Sequence, residues 1–353
     1  WQLVDNSFGY REDQPTLKNL LIRLLLSDFA QAVQQSLPGS LQHLLLSRPG
    51  IANAVVCLGQ WRDSSMRNKS YDALSARIAD TVKMDQHLGS FAIEALGEVK
   101  TFLQVERYIA SRLRDRVVDT CKVINPEEIR EIASRRQDGY WATDAMPSSH
   151  NAPRKALHAV YDALLAATDL FDLLNQYPGG FVSTTAKEMV VDYTGKLFRF
   201  DQHYRQFCEA ADYAEAHDWD ILKELRQHIE DAYGNGYLAG LALAWGKPME
   251  QGLLDSWRID GIQNQQQFFN AEVKPVLDQA DDRRVFVVIS DAFRYEAAEE
   301  LAGQLNGRYR FEAELTAQLG VLPSYTSLGM ASLLPHETLA YDENGSVQVD
   351  GLP

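Results

Sequence analysis

The sequence predicts a mainly α N-terminal region followed by the start of an α/β domain with a parallel sheet. Three observations carry this. Apolar residues recur at helical spacing from Leu17 to Asp278. An apolar run of strand length, Val285 to Ile289, then gives way to a helical pattern at Arg294, which leaves Asp291 in the turn between them. A second turn, Pro323 to Thr326, opens a short helix with Leu328, Ala331, Leu333 and Leu334 on its inner face. A strand–turn–helix unit places a carboxylate at the strand's carboxyl end, where open α/β sheets hold ligands. Thr326 falls at a helix amino terminus, where unpaired N–H groups favour an anion.

The elements follow in order. Thr16, behind Pro15, caps a helix whose apolar face is Leu17, Leu20, Leu21, Leu24, Leu25 and Phe29. Tyr71 to Leu88 and Ala92 to Val118 repeat the period with charges on the other faces. Asn125, Pro126, Glu127 and Glu128 make a further helix start, with a capping side chain, a first-turn proline and an acid that answers the cap. Gly139 to Pro153, with Pro147-Ser148-Ser149, has loop composition and joins two helical subdomains. From Arg154 the period resumes through Leu157, Val160, Tyr161, Leu164, Leu165, Thr168 and Phe171, stopping near Pro178. Thr184 to Tyr193, Lys196 to Ala216 and Asp218 to Ala244 are helical by spacing, with Gly246-Lys247-Pro248 as a stop and Gln263 to Asp278 as a final helix. Beyond Asp291, Tyr295, Leu301 and Leu305 pack a helix on the sheet, Asn306-Gly307 ends it, and Tyr309 to Leu315 alternates as a second strand. The expected organisation is a helical subdomain over 1–138, a linker over 139–153, a second helical subdomain over 154–279 and the α/β part over 280–353.

Composition narrows the function. At 353 residues the chain exceeds the usual single-domain size, and 45% hydrophobic with 24% charged residues is the balance of a soluble globular protein. A formal charge of -15 argues against a surface that grips nucleic acid throughout, while a local basic groove or a metal remains compatible. Cys57, Cys121 and Cys208 are far apart and odd in number, which suggests a reducing cytoplasm and neither a disulfide framework nor a structural zinc site. The apolar stretch Leu20 to Val33 is broken by Arg23 and Asp28 and falls short of a membrane span.

Residues that invite a functional reading have plainer alternatives. Tyr193, Phe198, Phe200, Tyr204, Phe207, Tyr213 and Trp219 read as helix packing before they read as a stacking platform. Arg135-Arg136 and the run Arg112, Arg114 and Arg116 lie among acids, as on a solvated helix face. The eight histidines, His150 among them, form no His-x-x-x-His pair, and His336 is placed to cap the end of the Thr326 helix.

Phosphate-ester hydrolysis needs a nucleophile, neutralisation of oxygen charge and help for the leaving group. A divalent cation supplies the last two and activates the first. Asp291 is a hard, anionic ligand at a strand end, and a hydroxyl on the next turn is the attacking group. By the residues alone Ser324, Thr326 and Ser327 rank nearly level. Phe293 stands where a phosphoacceptor or dehalogenase-like site has its second aspartate, and Phe293 and Tyr295 replace the serines of an Asp-x-Ser-x-Ser site. Neither a Gly-x-Ser-x-Gly elbow nor a Walker loop is present.

DAFRYE (Asp291 to Glu296), LPSYTSLGMASLLPH (Leu322 to His336) and VDG (Val349 to Gly351) resemble the type A PglZ family, the alkaline-phosphatase-like proteins of bacterial BREX phage-defence systems. The resemblance is strongest over the last quarter of the chain. It implies that 280–353 is the first part of an alkaline-phosphatase-like domain and that the activity is a metal-dependent phosphatase or phosphodiesterase. Asp291 is then a metal ligand and Thr326 the metal-bound nucleophile. Zinc is the implied cation, with manganese or magnesium as alternatives. Arg294 either reaches a substrate phosphate or pairs with Glu296 and Glu299. Other BREX proteins are the implied partners, and a phosphodiester or nucleic acid the substrate. The family's remaining Asp and His ligands are expected downstream of Pro353, and a chain running from Trp1 to Pro353 is expected to be a piece cut at both ends. The competing expectation is a helical scaffold with an incomplete phosphatase-like domain.

Overall fold

The computed structural model describes residues 1–120, 125–143, 152–279, 284–308 and 311–352. Cys121, His150, Pro147-Ser148-Ser149 and Tyr309 lie outside the described residues. The chain is mostly helical, with a small parallel sheet near its carboxyl end, as the sequence predicts. It divides into two compact units, Trp1–Gln176 with His203–Ala232, and Tyr177–Gln202 with Tyr233–Pro353.

Among the described residues, the regular structure of the first unit is all helical. Helix α1 (Leu17–Ala32) starts where expected because Thr16 Oγ1 accepts the Asn19 N–H at 3.1 Å. Leu20, Leu24, Leu25, Leu26 and Phe29 are buried, and α1 packs on α2 (Arg48–Arg62). Leu17, expected on that face, is exposed because it occupies the first helical position, ahead of the packed turns. Helices α3 (Leu103–Thr120), α4 (Pro126–Gln137) and α5 (Ala152–Asn175) pack on one another. Asn125 caps α4 as expected, its Oδ1 accepting the Glu128 N–H at 3.4 Å. The helix expected from Ala92 begins only at Leu103, after a short turn at Glu94–Leu96.

One charge departs from expectation. Arg136 is buried rather than solvated: its guanidinium pairs with buried Glu106, donates at 2.8 Å to the carbonyls of Gly97 and Val99, and shares Glu106 with the Tyr161 hydroxyl at 2.7 Å. A buried charge persists only when paired and hydrogen-bonded, and here each group is. Arg112, Arg114 and Arg116 do lie among acids, at Asp115, Glu94 and Glu128.

In the second unit, α6 (Ala186–Asp192) opens on a capping box in which Thr185 and Glu188 answer one another. A π-helical turn, Tyr193–Leu197, leads into α7 (Phe198–Glu215), the helix at which the two units divide. Phe198 and Phe200 are buried, as packing residues should be, and so are Phe207 and Trp219 in the first unit; Tyr213 is exposed.

Several expectations fail in the second unit. The helix Ala239–Pro248 runs through the proposed Gly246-Lys247-Pro248 stop, because proline's φ of -58° suits its last turn; the path kinks at Gly252, φ 93°, and ends at Ser256, before Trp257 at φ 43°. Gln263 and Asn264 do not start a helix. They form strand β1, and Asn264 then caps the turn that follows. β1 pairs in parallel with β2 (Gln318–Leu319), while β3 (Leu339–Tyr341) and β4 (Val347–Val349) form an antiparallel hairpin. Val285 to Ile289 is not a strand: no ladder pairs it among the described residues, and Phe286 and Val288 are 86% and 91% exposed. β propensity makes a strand only where a neighbour supplies the other half of the hydrogen bonds. Nor does Phe311 to Leu315 form a strand, since the Asn306 side chain takes both backbone groups of Ala313, at 2.7 and 2.8 Å. Helix α8 (Tyr295–Asn306) ends at Asn306-Gly307 as expected, yet Leu301 is exposed, and the helix is held instead by Tyr295 against Tyr193 and Phe198.

Candidate active site

Asp291 and Thr326 meet. Thr326 Oγ1 donates to Asp291 Oδ2 at 3.2 Å, and the Ala292 N–H donates to Asp291 Oδ1 at 3.1 Å, so both carboxylate oxygens are aimed. The two residues lie in separate turns, each just ahead of or at the start of a helix: Asp291 before α8, Thr326 as the first residue of α9 (Thr326–Leu333). Both are exposed, so water and a ligand reach them. Of the three hydroxyls in the turn, Thr326 is the one bonded to Asp291; Ser324 and Ser327 are also exposed.

The backbone at Asp291 is unusual. Ala292 adopts φ 54°, in the left-handed region, which costs an L-residue with a Cβ about 1–2 kcal/mol. That turn directs the Asp291 carboxylate without a flanking β ladder.

Thr326 is set from both sides by residues that sequence reasoning missed. Gln265 accepts the Val321 N–H on Oε1 at 3.2 Å and donates from Nε2 to the Gly329 carbonyl at 3.1 Å, bridging the turn to the first coil of α9. The Trp257 indole donates to the Gly320 carbonyl at 2.7 Å. Glutamine and tryptophan upstream carry no motif, and only the β1–β2 pairing brings Gln265 beside the turn. Leu328 and Ala331 face inward as expected, whereas Leu334 is exposed because the helix ends at Leu333. Tyr325, the residue before α9, makes no side-chain cap, so no cap competes with a ligand for the first-turn N–H groups.

Arg294 is not brought to the pair by its described contacts. Its Nη2 lies 2.7 Å from Asp201 Oδ1 and its Nε 3.0 Å from Glu296 Oε1. Burial opposes the guanidinium's charge, but Tyr233, Asp201 and Glu296 outweigh it and raise its pKa further. The expected pairing with Glu296 is present, while Glu299 faces Gln202 instead. His336 Nδ1 sits 2.7 Å from the Leu334 carbonyl, at the end of α9. Asp350 of the VDG motif accepts the Glu337 and Thr338 N–H groups at 2.9 and 2.7 Å, which lowers its pKa and ties off the β3–β4 hairpin.

A cation would find one carboxylate and one hydroxyl here. That is the beginning of an oxygen-donor site and not a complete one, since divalent ions take four to about eight ligands. No group of three or more His, Cys, Asp or Glu able to hold a metal occurs among the described residues.

The comparisons with known proteins bear on this same turn. Residues 268–353, which contain both Asp291 and Thr326, match the family described as "BREX system PglZ alkaline phosphatase-like domain". The chain is also 37% identical to the alkaline phosphatase-like protein BrxZ of Escherichia coli O9:H4 (strain HS), over 100% of this chain and 40% of BrxZ. It is PglZ-like. The alkaline phosphatase-like protein PglZ of Bacillus cereus (strain H3081.97) is 30% identical over 99% of this chain and 39% of its own length. The chain thus spans about two-fifths of the length of these PglZ-like relatives. The alignments run through the helical region as well as the last quarter, where the motifs make the resemblance strongest. No solved structure matches significantly. No helix among the described residues is long and apolar enough to cross a membrane.

Proposed function

We propose that the intact protein is a metal-dependent phosphoric ester hydrolase of a BREX phage-defence system, with Thr326 as its nucleophile. The observation that carries this is the 3.2 Å contact between Thr326 Oγ1 and Asp291 Oδ2 inside the segment that matches the PglZ family. Thr326 Oγ1 attacks phosphorus, forming an O–P bond as the P–O bond to the leaving alcohol breaks. The hydroxyl proton passes by way of Asp291 Oδ2 to the leaving oxygen, and water then cleaves the Thr326 phosphoester to release the phosphoryl product and restore the hydroxyl. A threonine hydroxyl is a weak nucleophile at its ordinary pKa, and the carboxylate acceptor orients it and holds its proton at Oγ1 before attack. The uncapped first turn of α9 offers N–H donors to the phosphoryl oxygens.

Asp291 and Thr326 are the residues that would hold a divalent cation, zinc by the family resemblance, together with donors beyond those described. When bound, the cation neutralises oxygen charge and favours the alkoxide. Arg294 would bind a substrate phosphate only after leaving Asp201, so its part is secondary. The cytoplasm is the proposed compartment, other BREX proteins the partners, and a phosphodiester such as a nucleic acid backbone the substrate class.

Hydrolysis of bis(p-nitrophenyl) phosphate by the intact protein, with zinc, manganese or magnesium added in turn, tests the reading. Thr326→Ala and Asp291→Ala should each lower turnover by more than about a hundredfold with an unchanged circular dichroism spectrum, while Ser324→Ala and Ser327→Ala keep it. Unchanged turnover in the first two variants rejects the site.

A further inference from the structure

Upstream of the PglZ match, the π-helical turn Tyr193–Leu197 and the start of α7 meet Arg294 and Tyr295, the residues that follow the Asp291 turn. Asp201 is 4% exposed and acts as a hub. Its carboxylate accepts from the hydroxyls of Tyr193 at 2.9 Å, Tyr233 at 2.7 Å and Tyr237 at 3.4 Å. Arg294 supplies the opposing charge at 2.7 Å and also donates to the Tyr233 hydroxyl at 3.4 Å. Burying the Asp201 side chain without these donors would be costly, and Arg294 is one of them, so Arg294 is held where Asp201 is.

The next residue is tied to the same segment. Tyr295 packs its ring 5.9 Å from that of Tyr193 and 5.3 Å from that of Phe198, and its hydroxyl donates to the Thr194 carbonyl at 3.4 Å. Two successive residues, Arg294 and Tyr295, are therefore anchored, and only Ala292 and Phe293 separate them from Asp291. With Ala292 in the left-handed region, the turn has little freedom once its carboxyl end is fixed. Asp291 itself has as its described partners only the Ala292 N–H and Thr326 Oγ1.

We propose that Asp201 is a positioning residue for the Asp291–Thr326 pair, acting through Arg294. The inference rests on the reading of that pair as a phosphoryl-transfer site, and it assigns the segment Tyr193–Asp201 to the scaffold of the site rather than to a separate helical module. Asp201 touches no reacting atom. It sets the position of Arg294, and Arg294 sets where the Asp291 turn begins.

Amide hydrogen exchange of the 353-residue chain reads this without substrate. The reporters are Ala292, whose N–H meets Asp291, and Ala297 and Ala298, whose N–H groups meet the Arg294 carbonyl. In Asp201→Asn their exchange should rise about tenfold or more while α3 keeps its rates, as expected for a local opening. Tyr233→Phe removes one donor and no charge and should give a smaller rise at the same amides. If Asp201→Asn also exposes α3, the fold has been lost and Tyr233→Phe alone decides. Wild-type exchange at all three amides, in the variant that keeps α3 protected, overturns the proposal. In the intact protein, Asp201→Asn should lower kcat for bis(p-nitrophenyl) phosphate with little change in KM, and Asp201→Glu should recover part of it; equal kcat in Asp201→Asn and wild type also overturns it. Full turnover in Thr326→Ala instead sinks the nucleophile reading, and the exchange result then still decides whether Asp201 anchors the turn.

Discussion

At Ala292 a single dihedral angle bears on the candidate site. Its left-handed φ of 54° is tolerated by alanine at a cost of about 1–2 kcal/mol, and glycine would adopt it freely. Ala292→Gly is therefore expected to leave the unfolding free energy unchanged or raise it by up to about 1 kcal/mol, because relief of strain exceeds or matches the extra entropy of the unfolded glycine. Urea denaturation checks this, and a clear loss of stability would mean that the turn is not left-handed. Asp291 was legible from its place after an apolar run and before a helix, and Thr326 from its place at a helix start. Which of three neighbouring hydroxyls meets the acid was not legible from residue chemistry, and only the family resemblance pointed to Thr326. Ser324, Thr326 and Ser327 share chemistry and exposure, and the choice depends on the rotation of α9 set by Gln265.

Among the elements, helix starts were the most readable because a cap is local chemistry. Thr16, Asn125 and Thr185 each present a side-chain oxygen to an N–H three residues on. Thr185→Ala should cost about 1 kcal/mol by removing half of the capping box that opens α6, measurable as a lower urea midpoint with the same slope. A larger loss would show that Thr185 does more than cap. Strands were the least readable. Val285 to Ile289 has the composition of a buried strand and is left unpaired among the described residues, while the polar dipeptide Gln263–Asn264 pairs with Gln318–Leu319. A strand is a property of two segments, and its partner is not written in its own residues.

At the scale of the whole chain, buried tyrosines link stability to alkaline pH. Burial first, and then the hydrogen bond to Asp201, pushes the Tyr233 pKa up to about 12, and burial raises those of Tyr193, Tyr237, Tyr71, Tyr140 and Tyr161 as well. An unfolded tyrosine ionises near about 10. The folded state holds these protons more tightly, so their contribution is fully present below about pH 10 and is lost as pH rises toward about 12. Chemical denaturation across that window should show falling stability, with a shallower fall in Tyr233→Phe; a flat profile would contradict the raised pKa values.

The sequence by itself determined that helices dominate, where the capped ones begin, and that an acid and a hydroxyl each lie in a turn ahead of or at the start of a helix. Those properties depend on neighbours a few residues apart. Only the tertiary structure decided that Asp291 selects Thr326, that Arg294 turns to Asp201, and that Arg136 is buried with Glu106. Each of these joins residues far apart along the chain, where charge pairing and burial, rather than local backbone preference, choose the partner.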